Sequence, residues 1–571
     1  MEKWWKADPA RWRQEKEALD ATGFSYEVDD ACCARGAMVL KITRPHQGRM
    51  IELTAAYPVE YPFFPPAVAS SEVLFARHQT PGNGRLCLLA DDGNLWEPQT
   101  DTLAWLLTEQ WDGLMAAQPG PTRDVEAESR QAEPITAYLD AEAESFIGFP
   151  EFRLEQLPAH GSFLLALESL RPLRGTVLEL QDAHGGVLVL SDTRQRSEYP
   201  SNIPMVTGRW LKLDTRLPKD GPAGYYERAT QSRPEHEAPL WQKLPGDARI
   251  DVEALLFPDE LVWEQQGGNV ILISRTQEKQ KDGRRGKVQK RLHHAELESH
   301  RLYALRDPLA ASMKASKIAL VGLGSIGSPL AKLLAQAGTG TLAVVDFDQL
   351  QAGNAVRWEV GRAQAGRPKA RVLMDLIRSE FPYTRVGGST YRVGEPGYAG
   401  TPDASIQHDL LFEATTCLVD ASATPNVSHY LSRQAQLRAL PFVWLYATNG
   451  AWGGFVGAAD PAPDAACWMC HQHYLADCTI KPLATAPETE SVHPPQCLDP
   501  TFTGSQVDLM EVSLMAARLV RDRVRTANGS QATHEYPWNF ASVRLRDTTG
   551  GRIPPLWITY RLGKHAQCPY H

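Results

Sequence analysis

The sequence predicts a multidomain protein with an α+β domain at the N-terminus, a mixed β-rich middle region and an α/β, Rossmann-like domain at the C-terminus. Three observations carry that reading. At 571 residues the chain exceeds what one hydrophobic core sustains, so two to four domains are expected. From Lys317 to Asp346 the order is apolar run, glycine turn, helical run, apolar run, acid, which is a βαβ unit with a buried parallel strand. Between Phe152 and Arg275 the pattern changes to short strands separated by turns, as at Phe163, Val177, Val187, Val206 and Val270. The implied boundaries are 1–120, 121–300 and 301–571.

In the first segment, residues 1–22 read as an amphipathic helix, and Ala37–Ile42 and Met50–Ala55 read as paired strands across the turn Pro45–Gly48. Tyr57-Pro-Val-Glu-Tyr-Pro-Phe-Phe-Pro-Pro66 is an extended stretch leaving a sheet, because proline cannot donate to a ladder. The loop His78-Gln-Thr-Pro-Gly-Asn83-Gly-Arg-Leu-Cys87 then delivers one thiol, and Trp96 precedes a helix over 101–117. These residues resemble the ubiquitin-conjugating enzymes, in which a Y-P-x-x-P-P segment closes the sheet and the active cysteine follows. The resemblance implies that Cys87 carries a thioester and that Asn83 donates to the oxyanion formed during transfer.

The middle region carries no chemical motif, and its expected role is to join the two ends or to form a dimer surface. An acidic, alanine-rich helix is expected over 124–146, and the basic, glycine-containing stretch Glu278–Arg291 reads as a mobile linker. Aromatics are absent from that stretch, and the net charge of -9 opposes a nucleic-acid binder. No apolar run reaches the roughly 18 residues of a membrane span, and the start is not a secretory signal. Nine unevenly spread cysteines fit reduced thiols better than a disulfide scaffold, so a cytoplasmic protein is expected.

In the C-terminal segment, Gly322, Gly324 and Gly327 form G-x-G-x-x-G between the strand Lys317–Val321 and the helix that starts at Ser328. Glycine lets the backbone approach a phosphate, and the helix N-terminus presents N–H groups and positive dipole to it. Asp346, after the second strand, suits ribose hydroxyls. These residues alone leave NAD, FAD and ATP open. Beyond them come Asp348, Asn354, Arg357, a glycine-led turn presenting Lys369, and Val419-Asp420-Ala-Ser-Ala-Thr-Pro-Asn426. D-x-D followed by N-x-x-R and that lysine resembles the ThiF superfamily, which includes the ubiquitin-activating and molybdopterin- and thiamine-adenylating enzymes. The resemblance implies ATP and Mg2+. Arg357 and Lys369 would neutralise phosphates, Asn354 would fix geometry and Asp420 would hold the metal. Ala423 stands where the family usually has an aspartate, and Arg301 is a candidate for an arginine lent across a dimer.

Cys467-Trp-Met-Cys470 and Cys568-Pro-Tyr-His571 together make a Cys3His set, placed where bacterial adenylating relatives carry two C-x-x-C pairs. Structural Zn2+ on Cys467, Cys470, Cys568 and His571 is the expectation. Cys497 remains, in a polar, proline-rich loop before a helix over Val507–Arg525, where activating enzymes of this superfamily place the acyl-acceptor thiol. Cys478 is its rival, and Cys32, Cys33 and Cys417 read as packing residues.

The two ends together resemble bacterial ubiquitin-transferase-like fusions, as in CBASS antiphage operons. The implied path is adenylation of a protein C-terminus, thioester on Cys497, transthiolation to Cys87 and transfer to a lysine of a target protein. The implied partner is a cyclic-oligonucleotide synthase or a ubiquitin-like protein, with a homodimer through the adenylation domain. Two rival readings are a sulfur-carrier adenylyltransferase with a non-catalytic N-terminal binding domain, and a scaffold that has kept the folds without the chemistry.

Overall fold

A computed structural model describes residues 3–72, 78–80, 83–89, 96–116, 144–215, 238–262, 265–279, 284–395, 410–487 and 502–570. The chain divides into two compact units, Met1–Ser191 with Gln195–Glu298, and Asp192–Arg194 with Ser299–His571.

In the first unit, the one helix expected over 1–22 is two, a short Trp4–Ala7 and the longer Pro9–Thr22, separated at Asp8. Asp8 caps the longer one by accepting from Arg11 N–H at 3.0 Å, proline occupies its first turn, and Gly23 ends it in the left-handed region. An antiparallel meander follows: β1 (Ser25–Val28), β2 (Met38–His46), β3 (Arg49–Tyr57) and β4 (Ala67–Ala69), in the order β1-β2-β3-β4. β3 alternates strictly, with Ile51, Leu53, Ala55 and Tyr57 buried. The proline-rich segment is anchored through its tyrosines. Fully buried Glu15 accepts from Tyr57 Oη at 2.9 Å, from Tyr61 Oη, and from Leu103 N–H at 3.1 Å, and pairs with Arg11 at 3.3 Å. The helix expected over 101–117 runs from Leu103 to Ala116 and contains one π-helical turn, Leu106–Gln110.

The middle strands are β5 (Phe146–Pro150), β6 (His160–Leu170), β7 (Leu173–Gln181), β8 (Val187–Leu190), β9 (Met205–Lys212), β10 (Gln242–Lys243), β11 (Arg249–Val262), β12 (Gln265–Gln277) and β13 (Gln289–Glu298). They are not a loose connector. The sheet runs β10-β11-β12-β13-β5-β7-β6-β9, and β9 pairs in parallel with β11, so seven strands close into a barrel, which removes its free edges. Phe149, Phe163, Trp210, Ile250, Val252 and Leu272 fill it. A Cβ on Gly208 would come within 2.0 Å of the Phe163 ring, so that contact requires glycine. Two expectations change here. Residues 278–291 lie within a β12–β13 connection and the start of β13, and are not a linker between domains. The acidic helix cannot reach 146, because Phe146 opens β5; its remainder lies outside the described residues.

The second unit is built on β14 (Lys317–Val321), β15 (Thr341–Val345), β16 (Arg385–Ser389), β17 (Cys417–Asp420), β18 (Phe442–Ala447), β19 (Gly453–Ala459), β20 (Phe540–Arg546) and β21 (Arg552–Tyr560). Their order is β16-β15-β14-β17-β18-β19-β20-β21. The first five are parallel in the doubly wound arrangement, and the last three extend the sheet antiparallel. The central strands β14, β15 and β17 are nearly continuous apolar runs, as a sheet covered on both faces requires, whereas the edge strand β16 is Arg-Val-Gly-Gly-Ser and only partly buried. The helix Gln506–Ala527 packs across β18 and β19 and against the helix Gly327–Gln336.

The far end of that long helix holds a buried charge network. Arg523 pairs with Asp522 and, at 2.9 Å, with Asp460; His534 lies 3.3 Å from Asp460 and 3.4 Å from Asp522. Hydrogen bonds to Asp460 and then Asp522 push the His534 imidazole up to about 9. A folded value above the unfolded one gives stability that is complete below about pH 6.5 and lost as pH rises through about 9. His534→Gln is therefore expected to cost about 2 kcal/mol at pH 6, after allowance for partial exposure, and almost nothing at pH 10. Thermal melts at the two pH values check this; an equal loss at both would refute the charge assignment.

Candidate active site

The glycine turn is built as its spacing requires. Gly322 has φ +89, and a Cβ there would lie 2.5 Å from Ser422 N; a Cβ on Gly327 would lie 2.0 Å from the Gly322 carbonyl oxygen. Gly324 has open space beside it, on the wall of a cleft of about 640 Å³. That volume suits a nucleotide-sized ligand. The cleft lies at the carboxyl ends of β14 and β15, lined by Gly322, Asp346, Asp348 and Lys369 on one side and by Tyr391, Arg392, Ser422, Thr424 and Asn426 on the other.

Asp346 organises the turn as well as facing the cleft. One carboxylate oxygen accepts from Leu323 N–H at 2.6 Å and the other from Asp348 N–H at 2.8 Å. Burial raises its pKa, opposed chiefly by Lys369. Lys369 opens the helix Lys369–Glu380, where its N–H donates to the Asp348 carbonyl at 2.9 Å and its Nζ meets the Asp348 carboxylate at 2.9 Å. The cleft thus brings Asp346, Asp348 and Glu395 together with the Lys369 ammonium and the Arg392 guanidinium, a set able to bind ribose, metal and phosphate.

Asn354 and Arg357 lie on the next turn. Asn354 Oδ1 accepts from Gln351 N–H at 2.9 Å and so fixes the short helix Ala352–Val356. Arg357 follows; its Nη1 donates to the Phe502 carbonyl and its guanidinium lies 5.9 Å from the Phe502 ring. Burial lowers its pKa. Asp420 is placed behind the cleft wall, fully buried, accepting from Ser428 Oγ and from Ser422 N–H at 2.9 Å. Its carboxylate ties the loop to the helix Pro425–Leu437, while Ser422, Thr424 and Asn426 face the cleft. Sequence reasoning passed over Phe347 and Arg392, which stack at 4.8 Å on the cleft rim. The one available signal was an aromatic residue between two aspartates. Arg301 lines a separate cleft of about 480 Å³ with Tyr303 and Tyr383.

Cys87 is exposed, with its N–H donating to the His78 carbonyl at 2.8 Å. It borders a cleft of about 320 Å³ with Phe64, Pro66, Arg85, Trp96 and Leu106. Asn83 Oδ1 accepts from Arg85 N–H at 2.9 Å, shaping the turn before the thiol. The π turn begins at Leu106, on the wall of this cleft.

Cys467, Cys470 and Cys568 converge although 98 residues separate the last two. Cys467 Sγ lies 3.7 Å from Cys470 Sγ and 3.6 Å from Cys568 Sγ. A tetrahedral Zn2+ with Zn–S bonds of about 2.3 Å sets sulfurs about 3.8 Å apart, so the donor set fits zinc. The hydrogen bond from Cys467 pulls the Cys470 thiol down while the Cys467 thiol is pushed up, and His565 N–H donates to Cys470 Sγ at 3.4 Å. The expected fourth ligand, His571, and the expected acyl acceptor, Cys497, both lie outside the described residues.

A doubly wound sheet with a glycine turn, an acid after β15 and a lysine facing it defines a nucleotide-binding α/β domain. Residues 299–537 match the ThiF family. The uncharacterized protein y4oA of Sinorhizobium fredii is 28% identical over 100% of this chain and 97% of its own length. A probable adenylyltransferase/sulfurtransferase MoeZ of Mycobacterium tuberculosis is 32% identical over 23% of this chain and 31% of its own. The SAMP-activating enzyme E1 of Haloferax volcanii is 29% identical over 27% of this chain and 53% of its own. Among the described residues no helix is long and apolar enough to cross a membrane.

Proposed function

We propose that this protein activates the C-terminal carboxylate of a partner protein and passes it, as a thioester, to an amine. The observation that carries the reading is the cleft where the glycine turn, Asp346, Asp348 and Lys369 meet within the ThiF-family stretch. The carboxylate oxygen attacks the α-phosphorus of ATP, and the bond to pyrophosphate breaks. Lys369 and Arg357 neutralise the charge that builds on the phosphates, Asp346 holds the ribose, and Asp348, which faces the cleft where the buried Asp420 does not, would serve the Mg2+ site. The Cys497 thiolate then attacks the acyl carbon and AMP leaves. The Cys87 thiolate displaces Cys497, and a lysine amine, losing a proton, displaces Cys87. The exposure of Cys87 beside its own cleft supports this second carrier role. A ubiquitin-conjugating-like fold for residues 1–120, a homodimer through residues 301–571, and a cyclic-oligonucleotide synthase as the activated partner in CBASS defence belong to the same reading.

The MoeZ similarity favours a second reading, adenylation of a sulfur-carrier protein with residues 1–120 as a binding module. The test mixes the protein with ATP, Mg2+ and the products of neighbouring genes, and compares non-reducing gels of wild type, Cys87→Ala and Cys497→Ala. Wild type is expected to form a thiol-sensitive adduct on Cys87, Cys87→Ala to stop with the adduct on Cys497, and Cys497→Ala to form neither. Full charging of Cys87 in Cys497→Ala would sink the relay. Absence of any acyl adduct on Cys87 would favour sulfur transfer.

A further inference from the structure

A phosphate-gripping turn must aim its N–H groups at the ligand, so its carbonyls have to be held on the other side. In this chain the holding comes from far along the sequence. With its amide oriented to donate, Gln506 Nε2 reaches the Arg357 carbonyl at 2.7 Å and the Ser325 carbonyl at 3.3 Å. Ser513, two turns further along the same helix and fully buried, donates from Oγ to the Ile326 carbonyl at 2.9 Å. Residues 506 and 513 are seven apart and therefore share one helix face. Two successive carbonyls of the glycine turn are thus taken by side chains of the helix Gln506–Ala527.

The same corner holds the arginine. The Arg357 main chain is fixed by Gln506 and its guanidinium by the Phe502 carbonyl, four residues before Gln506. The helix start is itself set by Ser505, whose Oγ accepts from Asp508 N–H at 3.3 Å. Gln506 therefore joins three things through one amide: the glycine turn, the arginine after Asn354, and the helix that packs across β18 and β19.

We infer that Gln506, seconded by Ser513, is a positioning residue for ATP: it turns the Ser325 and Ile326 peptides so that the glycine turn faces phosphate, and it sets where Arg357 stands. The inference rests on the nucleotide reading of the cleft. Gln506→Met keeps the length of the side chain and removes both hydrogen bonds. It is expected to raise the Kd for ATP about tenfold while leaving the Kd for adenosine, which has no phosphate, within twofold of wild type. Both are read by equilibrium binding to the full chain, alongside its thermal melt. Should Gln506→Met fold poorly, Ser513→Ala is read in its place, with a shift of about threefold expected in the ATP value alone. Wild type failing to bind ATP would overturn the nucleotide reading itself. Wild-type binding with an unchanged ATP to adenosine ratio in the variants would overturn the positioning role alone, and equal weakening of both ligands would assign Gln506 to packing.

Discussion

Alanine in place of Lys369 lowers ATP–pyrophosphate exchange, measured with the partner protein present, by about 100- to 1000-fold. The ammonium lies 2.9 Å from the Asp348 carboxylate, and its side chain is only 12% exposed, so its charge acts at low effective dielectric. Removing it takes away the cation opposite the phosphates and leaves Asp346 and Asp348 without compensation. The second effect has a sign of its own. Burial already raises the Asp346 pKa, and Lys369 is the largest influence opposing that rise. In Lys369→Ala the value climbs further, Asp346 protonates at higher pH, and the acid limb of the rate profile moves upward. Lys369→Arg keeps the charge but not the ammonium geometry, and is expected to recover part of the rate and to restore the acid limb. Exchange within tenfold of wild type in Lys369→Ala would remove Lys369 from the phosphate site.

The parts of this molecule that could be read from the sequence are those whose constraint is local. Gly322 and Gly327 are demanded by backbone atoms a few residues away or across one strand, and Asp346 follows its strand directly, so the βαβ unit stands out in some thirty residues. The barrel closes through pairings that leave no local trace. β9 joins β11 in parallel, and β5 lies between β13 and β7. β13 was further disguised because inward-facing His293 occupies an apolar position, its Nε2 bonded to Ser274 Oγ at 2.7 Å, after a glycine-rich, basic stretch. Gln506 is hidden for a related reason: it works through main-chain carbonyls roughly 150 and 180 residues upstream, which any residue type supplies. Asp420 shows the converse. Its position at a strand end resembles a metal ligand, while its hydrogen bonds to Ser428 and Ser422 could be read only from the folded loop.

The three-thiol cluster carries the other large effect. The sulfurs of Cys467, Cys470 and Cys568 are buried within 4.8 Å of one another, and any thiolate among them is costly to bury without a cation. A bound Zn2+ would remove that cost and tie Cys568 to the helix Trp468–Ala476 and its cap Cys467. The purified protein is therefore expected to contain one zinc per chain by elemental analysis. Cys568→Ser is expected to lose the zinc and to lower the Tm by about 10 °C, the shift that about 3 kcal/mol produces in a unit of this size. Because the second unit has its own extensive core, the variant remains folded well below that temperature, and its Kd for ATP stays within twofold of wild type. That last comparison separates a structural ion from a catalytic one: a metal used in the adenylation cleft would carry the ATP affinity down with it. Less than a tenth of an equivalent of zinc, with a Tm indifferent to chelator, would reduce the cluster to packed cysteines. Zinc retained in full by His571→Ala would move the fourth ligand elsewhere while leaving the three sulfurs in place.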